Sequence, residues 1–196
     1  MSFEPDDSIS ETEREIMEAT FEALIEHGYA DVSISKIAAH FSKSQSLLYY
    51  HYENKDEIMV SFLQFALDEF FREFDPSDGA RPAEDMNELI EYMFPSAEAD
   101  TERTAFLRIF VELRSQAISN GTFMEIISDI DAQLVVAIEE ILARGVEAGT
   151  YACEDTHRTA QFVYAVISGS MLLETTSEGV ESDAVRTMLR AYLDSI

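Results

Sequence analysis

Positive charge is scarce in this chain. Three lysines and ten arginines stand against 39 acidic residues, for a formal net charge of −26. Such a surface repels any polyanion unless one place is kept free of acids. Cysteine is almost absent: Cys153 is alone, which excludes an internal disulfide and a cysteine cluster for zinc or iron–sulfur. The four histidines, His27, His40, His51 and His157, are scattered without metal-ligand spacing, so no metal or cofactor is expected. No apolar run approaches the roughly 18 residues of a membrane span. The opening MSFEPDDSIS is acidic and polar, unlike a secretory signal, and a cytoplasmic protein is the expectation. Alternating apolar and polar segments are missing too, which argues against a sheet, and neither an internal repeat nor a low-complexity tract is present.

The acid excess has a second implication. So many carboxylates with so few lysines resemble proteins of salt-loving organisms, whose acidic surfaces stay hydrated in concentrated salt. In molar salt the Debye length shrinks to about 3 Å, and the self-repulsion of the chain is screened.

What is present is helical periodicity, and 46% hydrophobic residues suffice for a packed core. Ser10 and Glu13 form a capping box, an apolar stripe of Ile16, Met17, Ala19, Phe21, Ala23 and Leu24 follows, and Gly28 reads as a left-handed stop. Short helices are expected over 35–41 and 44–50 with a break at Ser42–Lys43, and Asn54 with Glu57 caps a long helix to about Phe74. Residues 75–85, DPSDGARPAED, are the clearest break. Further helices are expected near 84–93, 101–119, 122–148, 155–177 and 182–194, with an interruption at Pro95. The fold class is all-α: a helix-turn-helix domain over 1–54 joined to a helical bundle over 55–196, about nine helices in all.

All three lysines, Lys36, Lys43 and Lys55, fall in one window, and residues 32–52 contain no acid. Residues 33–55 carry three lysines against Glu53, a formal +2, while the remainder carries −28. Two short helices with a tight turn form a helix-turn-helix, whose second helix fits the major groove. Behind it Tyr49, Tyr50, His51 and Tyr52 supply donors for phosphate oxygens. Lys55, in the first turn of the next helix, opposes the helix dipole unless a phosphate lies at that N-terminus. Leu48 and Tyr52 read as core.

The order Gly28-Tyr29, Ser33-Ile-Ser-Lys-Ile-Ala-Ala, then Ser44-Gln-Ser-Leu-Leu-Tyr-Tyr-His-Tyr-Glu-Asn-Lys resembles the N-terminal domain of tetracycline-repressor (TetR) family transcription factors. The resemblance implies that Ser44, Gln45, Ser46 and Leu47 open the recognition helix. Gln45 suits bidentate pairing with adenine, and Leu47 a thymine methyl. It also implies that Tyr49, Tyr50, His51 and Lys55 contact phosphates, and that Ser35 and Lys36 reach backbone or bases. Two positions depart from the family: Ser42 stands where glycine is usual, implying a strained positive φ. Lys43 replaces a small apolar residue, and its ammonium would snorkel toward phosphate.

Residues 156–173 also lack acids, and from Ala160 to Leu173 the helix is apolar around most of its circumference. A homodimer through the 122–148 and 155–177 helices would cover it and set two recognition helices one DNA turn apart on a palindromic operator. The family's cavity-lining helices carry Met93, Phe94, Phe106, Phe110, Phe123, Tyr164 and Met171, which suit a small hydrophobic effector or plain core. Arg114 lines up with Leu107, Val111 and Ile118, and a buried arginine would want Glu112, Glu139 or an anionic effector. The reading is a dimeric, ligand-released repressor binding double-stranded DNA. A helical sensor or protein-interaction module without DNA specificity is the alternative. No nucleophile–base pair or phosphate-cradling loop is visible, so the chain does not read as an enzyme.

Overall fold

A computed structural model describes residues 10–74, 81–94, 101–178 and 181–196. Among them are nine α-helices and no strand: α1 (Glu11–Asp31), α2 (Ile34–His40), α3 (Gln45–His51), α4 (Lys55–Glu73), α5 (Pro82–Met93), α6 (Thr101–Gln116), α7 (Gly121–Glu147), α8 (Thr156–Thr176) and α9 (Ser182–Leu193). The expected Pro95 interruption and the 75–80 part of the expected break lie outside the described residues, as do residues 1–9.

Local capping chemistry sets several boundaries. Ser10 Oγ accepts from Glu13 N–H at 3.2 Å, and the Glu13 carboxylate accepts from Ser10 N–H at 3.0 Å. Asn54 Oδ1 accepts from Glu57 N–H at 3.1 Å, and Glu57 accepts from Glu53 N–H at 2.8 Å, which starts α4. Gly28 does take a left-handed φ of 68°, but helical residues resume beyond it to Asp31. It therefore kinks α1 rather than ending it. A Cβ at Gly28 would sit 3.5 Å from the Glu112 carboxylate oxygens, so the obstacle to substitution is backbone strain rather than space. Gly28→Ala is expected to lower stability by about 1–3 kcal/mol, measured by urea unfolding. No loss would mean that the kink relaxes freely.

The helices divide between two compact units. The first comprises residues up to Phe70 together with Thr101–Ile127. Its core joins α1, α4 and α6: Phe21 stacks on Phe62 at 6.2 Å between ring centroids, and Phe106 lies 6.4 Å from Phe21 and 6.3 Å from Phe62. Arg14 reaches the buried Glu69 at 3.3 Å and lies over the Phe65 ring, 5.4 Å from its centroid, so the cation has both a carboxylate and an aromatic face against it. Arg114 is half-buried on α6, which also buries Val111 and Leu113. Ile118 does not continue the stripe: α6 closes at Gln116, and Ile118 falls in the following turn, 87% exposed.

The second unit comprises Phe71–Asp100 and Ser128–Ile196. Here α5 buries Met86, Leu89, Ile90 and Met93, and α8 buries Val163, Tyr164, Ile167 and Met171. Arg144 of α7 bonds Asp85 of α5 at 2.9 Å, and Arg186 and Arg190 of α9 share Glu91 of α5. Phe162 of α8 meets Tyr192 of α9 edge to face at 5.0 Å. Glu139 of α7 accepts from His157 of α8 at 2.7 Å.

Candidate nucleic-acid interface

Two buried side chains orient the short helices. Ile37 and Leu48 are fully buried, with Phe41 and Val32 behind them, so the opposite faces of α2 and α3 turn to solvent. Ser33 caps α2 by accepting from Lys36 N–H at 3.3 Å. Ser44 precedes α3, and its hydroxyl pairs with that of Ser46 at 2.9 Å rather than with a backbone N–H. Ser42, Lys43, Ser44, Gln45 and Ser46 are all exposed and Leu47 is half-buried. Tyr49 is 56% and Tyr50 82% exposed, a large phenolic surface just past Gln45. His51 is half-buried between the Tyr50 and Tyr52 rings, at 5.4 and 6.2 Å. Tyr52 is half-buried rather than core, and burial pushes its phenol pKa up.

The lysines depart from expectation. Each ammonium group is held by α1: Lys36 donates to Asp31 O at 2.8 Å, and Lys43 to Thr12 Oγ1 at 3.0 Å beside Glu15 at 3.0 Å. Lys55 donates to Tyr29 O at 2.9 Å and lies 4.0 Å above that ring. The cation at the start of α4 is thus explained by an internal cation–π contact as well as by any phosphate. Ser35, exposed at the start of α2, shares a hydrogen bond with Ser33 at 3.0 Å.

Strain at the turn is absent, because among the described residues no non-glycine residue has a positive φ. Ser42 stays in ordinary backbone space and donates its hydroxyl to Glu15 at 2.7 Å. That bond, with Lys43 next to it, holds the Glu15 carboxyl below its usual range. A hydrogen-bonding turn residue thus replaces the flexibility that glycine would supply.

A half-buried clasp of Tyr29, Asp56 and Asn120 lies near Lys55. Tyr29 OH donates to Asp56 Oδ1 at 2.9 Å, and Asn120 donates to Asp56 Oδ2 at 3.1 Å. The Tyr29 ring stands edge-on to Phe123 at 5.8 Å. Burial, then the Asp56 bond, pushes the Tyr29 phenol up to about 12, so it remains a neutral donor. The clasp joins the end of α1 to the starts of α4 and α7. In sequence its one signal is Tyr29, which belongs to the family-like pattern but carries no assigned contact there.

The residues expected around an effector divide between the units. Phe106, Phe110, Arg114 and Phe123 belong to the first, and Met93, Phe94, Tyr164 and Met171 to the second. Phe94 and Phe123 are fully buried, while Phe106 and Phe110 are half-buried. Tyr164 donates to Asp131 at 2.5 Å. None of the eight lines the groove of about 370 Å³ that Phe71, Ala132, Gln133, Val136, Ala137 and Glu140 form in the second unit.

Residues 16–61, which bracket α2 and α3, match the family described as bacterial regulatory proteins, tetR family. Residues 82–196 match the BetI-type transcriptional repressor, C-terminal family. The chain belongs to the TetR family of transcriptional regulators. A TetR transcription regulator from Haloarcula marismortui has the same fold, with a TM-score of 0.83 and 24% identity over 96% of this chain and 99% of that one. A regulator, FadR from Bacillus subtilis, solved in complex with stearoyl-CoA, superposes with a TM-score of 0.73 at 21% identity, covering 93% and 97% of the two chains. In sequence, the fatty acid metabolism regulator protein of Bacillus subtilis is 25% identical over 137 residues, 69% of this chain and 68% of that protein.

Proposed function

We propose that this TetR-family chain is a homodimeric repressor that reads a palindromic operator through α3 and is released by a small hydrophobic effector. Residues 1–54 form its DNA-binding domain and residues 55–196 its ligand-binding and dimerisation domain. The observation that carries the reading is the acid-free α2–α3 surface, on which Gln45, Ser46, Tyr49 and Tyr50 stand exposed around the buried anchor Leu48. Gln45 and the serines offer groove-edge hydrogen bonds, while the tyrosines offer phosphate contacts that need no cation. Lys36, Lys43 and Lys55 reach DNA only by exchanging an acceptor on α1 for a phosphate, so they add less electrostatic affinity than three free ammoniums would.

The dimer surface centres on α8, where Phe162, Leu172 and Leu173 are each about half exposed. On α9, Met188 is 69% exposed, and on α7 Val136 contributes a smaller apolar patch beside Glu140. For the effector, relatives named for fatty acid metabolism and crystallised with stearoyl-CoA point to a long acyl chain. Effector binding moves α4 and weakens operator binding by about 1–3 kcal/mol. The test is a footprint on the DNA upstream of the protein's own gene. Protection that survives excess competitor duplex supports the repressor. Uniform, competitor-sensitive binding would instead favour a sensor module without DNA specificity.

We also propose a saline working environment, on the strength of the −26 charge. Raising KCl from 0.1 to 2 M is expected to lift the melting temperature by about 5–10 °C, because screening removes a few kcal/mol of self-repulsion. An unchanged melting temperature would speak against it.

A further inference from the structure

Spacing keeps His27 and His40 apart in the sequence, but the fold brings both to one carboxylate. Glu22, Glu26 and His27 lie on α1, and His40 is the last residue of α2. His40 Nε2 lies 3.2 Å from Glu26 Oε2, and His27 Nε2 lies 3.8 Å from Glu26 Oε1. One donor atom from each of the three residues falls within 4.8 Å of the others. Nitrogen and oxygen ligands about 2.0–2.1 Å from a tetrahedral ion stand roughly 3.3 Å from one another. The first separation lies just below that value and the second, to the other Glu26 oxygen, about half an ångström above it, so rotations of the exposed Glu26 carboxylate and the His27 ring close the site.

The remaining ring nitrogen makes the cluster more than a coincidence of polar groups. His40 Nδ1 lies 3.1 Å from Glu22 Oε2. A carboxylate in that place favours the tautomer with the proton on Nδ1 and leaves the Nε2 lone pair on the side of Glu26, available to an ion. Both histidine side chains are 22% exposed and Glu26 is 60% exposed, so an ion can enter from solvent and water can complete its shell.

We propose that Glu26, His27 and His40 bind a divalent transition-metal ion, with Glu22 as the group that orients His40. Two imidazoles and one carboxylate suit Zn²⁺, Co²⁺ or Ni²⁺, whereas Mg²⁺ and Ca²⁺ require oxygen ligands. The bound ion fastens the end of α1 to the end of α2, directly before the turn into α3. The site stands whether or not α3 reads DNA.

An acidic chain attracts divalent cations non-specifically, so the test must separate a site from a surface. ZnCl₂ is titrated calorimetrically into the full chain in excess MgCl₂, and CoCl₂ uptake is followed by its visible ligand-field bands. The expected result is a single tight ion per chain, with His27→Ala and His40→Ala each weakening Zn²⁺ binding about tenfold or more. Glu22→Gln, which keeps a hydrogen-bond acceptor and the shape, is expected to weaken it by about tenfold, and His157→Ala to leave it unchanged. Uptake that the His27→Ala/His40→Ala pair leaves unaltered, displacement by Mg²⁺, or no uptake at all would each overturn the assignment.

Discussion

Gln45→Ala is expected to weaken binding to the operator about 10- to 100-fold while leaving affinity for random duplex within about twofold. A bidentate amide–adenine pair discriminates by about 1–3 kcal/mol, and Gln45 is exposed at the first turn of α3 with no intramolecular role that its loss would disturb. Tyr50→Phe should behave differently. Its hydroxyl, on a ring 82% exposed, is assigned to phosphate, so specific and non-specific binding fall together. Fluorescence anisotropy with operator and scrambled duplexes separates the two patterns. Equal losses on both duplexes for Gln45→Ala would remove it from the base-reading set.

The second large effect concerns assembly. Leu172→Glu combined with Phe162→Glu is expected to raise the dimer dissociation constant at least about 100-fold, read by sedimentation equilibrium. Each chain already carries −26, so two copies associate only if apolar contact outweighs their repulsion. Across a two-fold axis each added carboxylate also meets its own copy or a neighbour of like charge. Both side chains are about half exposed in the single chain, but Phe162 also rests on Tyr192, so Leu172→Glu alone, which keeps that ring contact, should shift the equilibrium in the same direction with an unchanged helical spectrum. Operator affinity should collapse with the dimer, because one half-site contact remains where there were two. A variant that stays dimeric would move the interface away from α8.

Much of this architecture was legible because its determinants are local. The Ser10–Glu13 and Asn54–Glu57 boxes act over three residues, and the apolar stripe of α1 repeats with the helical period. Leu48 could be assigned to the core from its place among tyrosines and serines, and it is fully buried. What stayed hidden depends on partners far away in sequence. Lys43 finds Thr12 across 31 residues, Lys55 finds Tyr29 across 26, and His40 finds Glu22 across 18. A cluster of lysines reads the same in sequence whether its ammoniums face solvent or tie α2 and α4 to α1. Ser42 illustrates the point at one residue: the missing glycine implied strain, and a hydroxyl bond to Glu15 made positive φ unnecessary. The effector residues were the least legible, since large apolar side chains on helices fill a core and line a cavity with the same pattern.

On the proposed reading, counterion release contributes little to DNA affinity in concentrated salt, and specificity rests on the groove-edge contacts of α3. Cross-linking tests that most directly. With the lone Cys153 replaced by Ser, Gln45→Cys carries a short photoactivatable group, and Ile118→Cys, 87% exposed in the α6–α7 turn, serves as the control. On irradiation with operator DNA, residue 45 should cross-link to bases in the two half-sites, about one helical turn apart, while position 118 yields nothing above background. Cross-links from position 118 but not from position 45 would contradict recognition through α3.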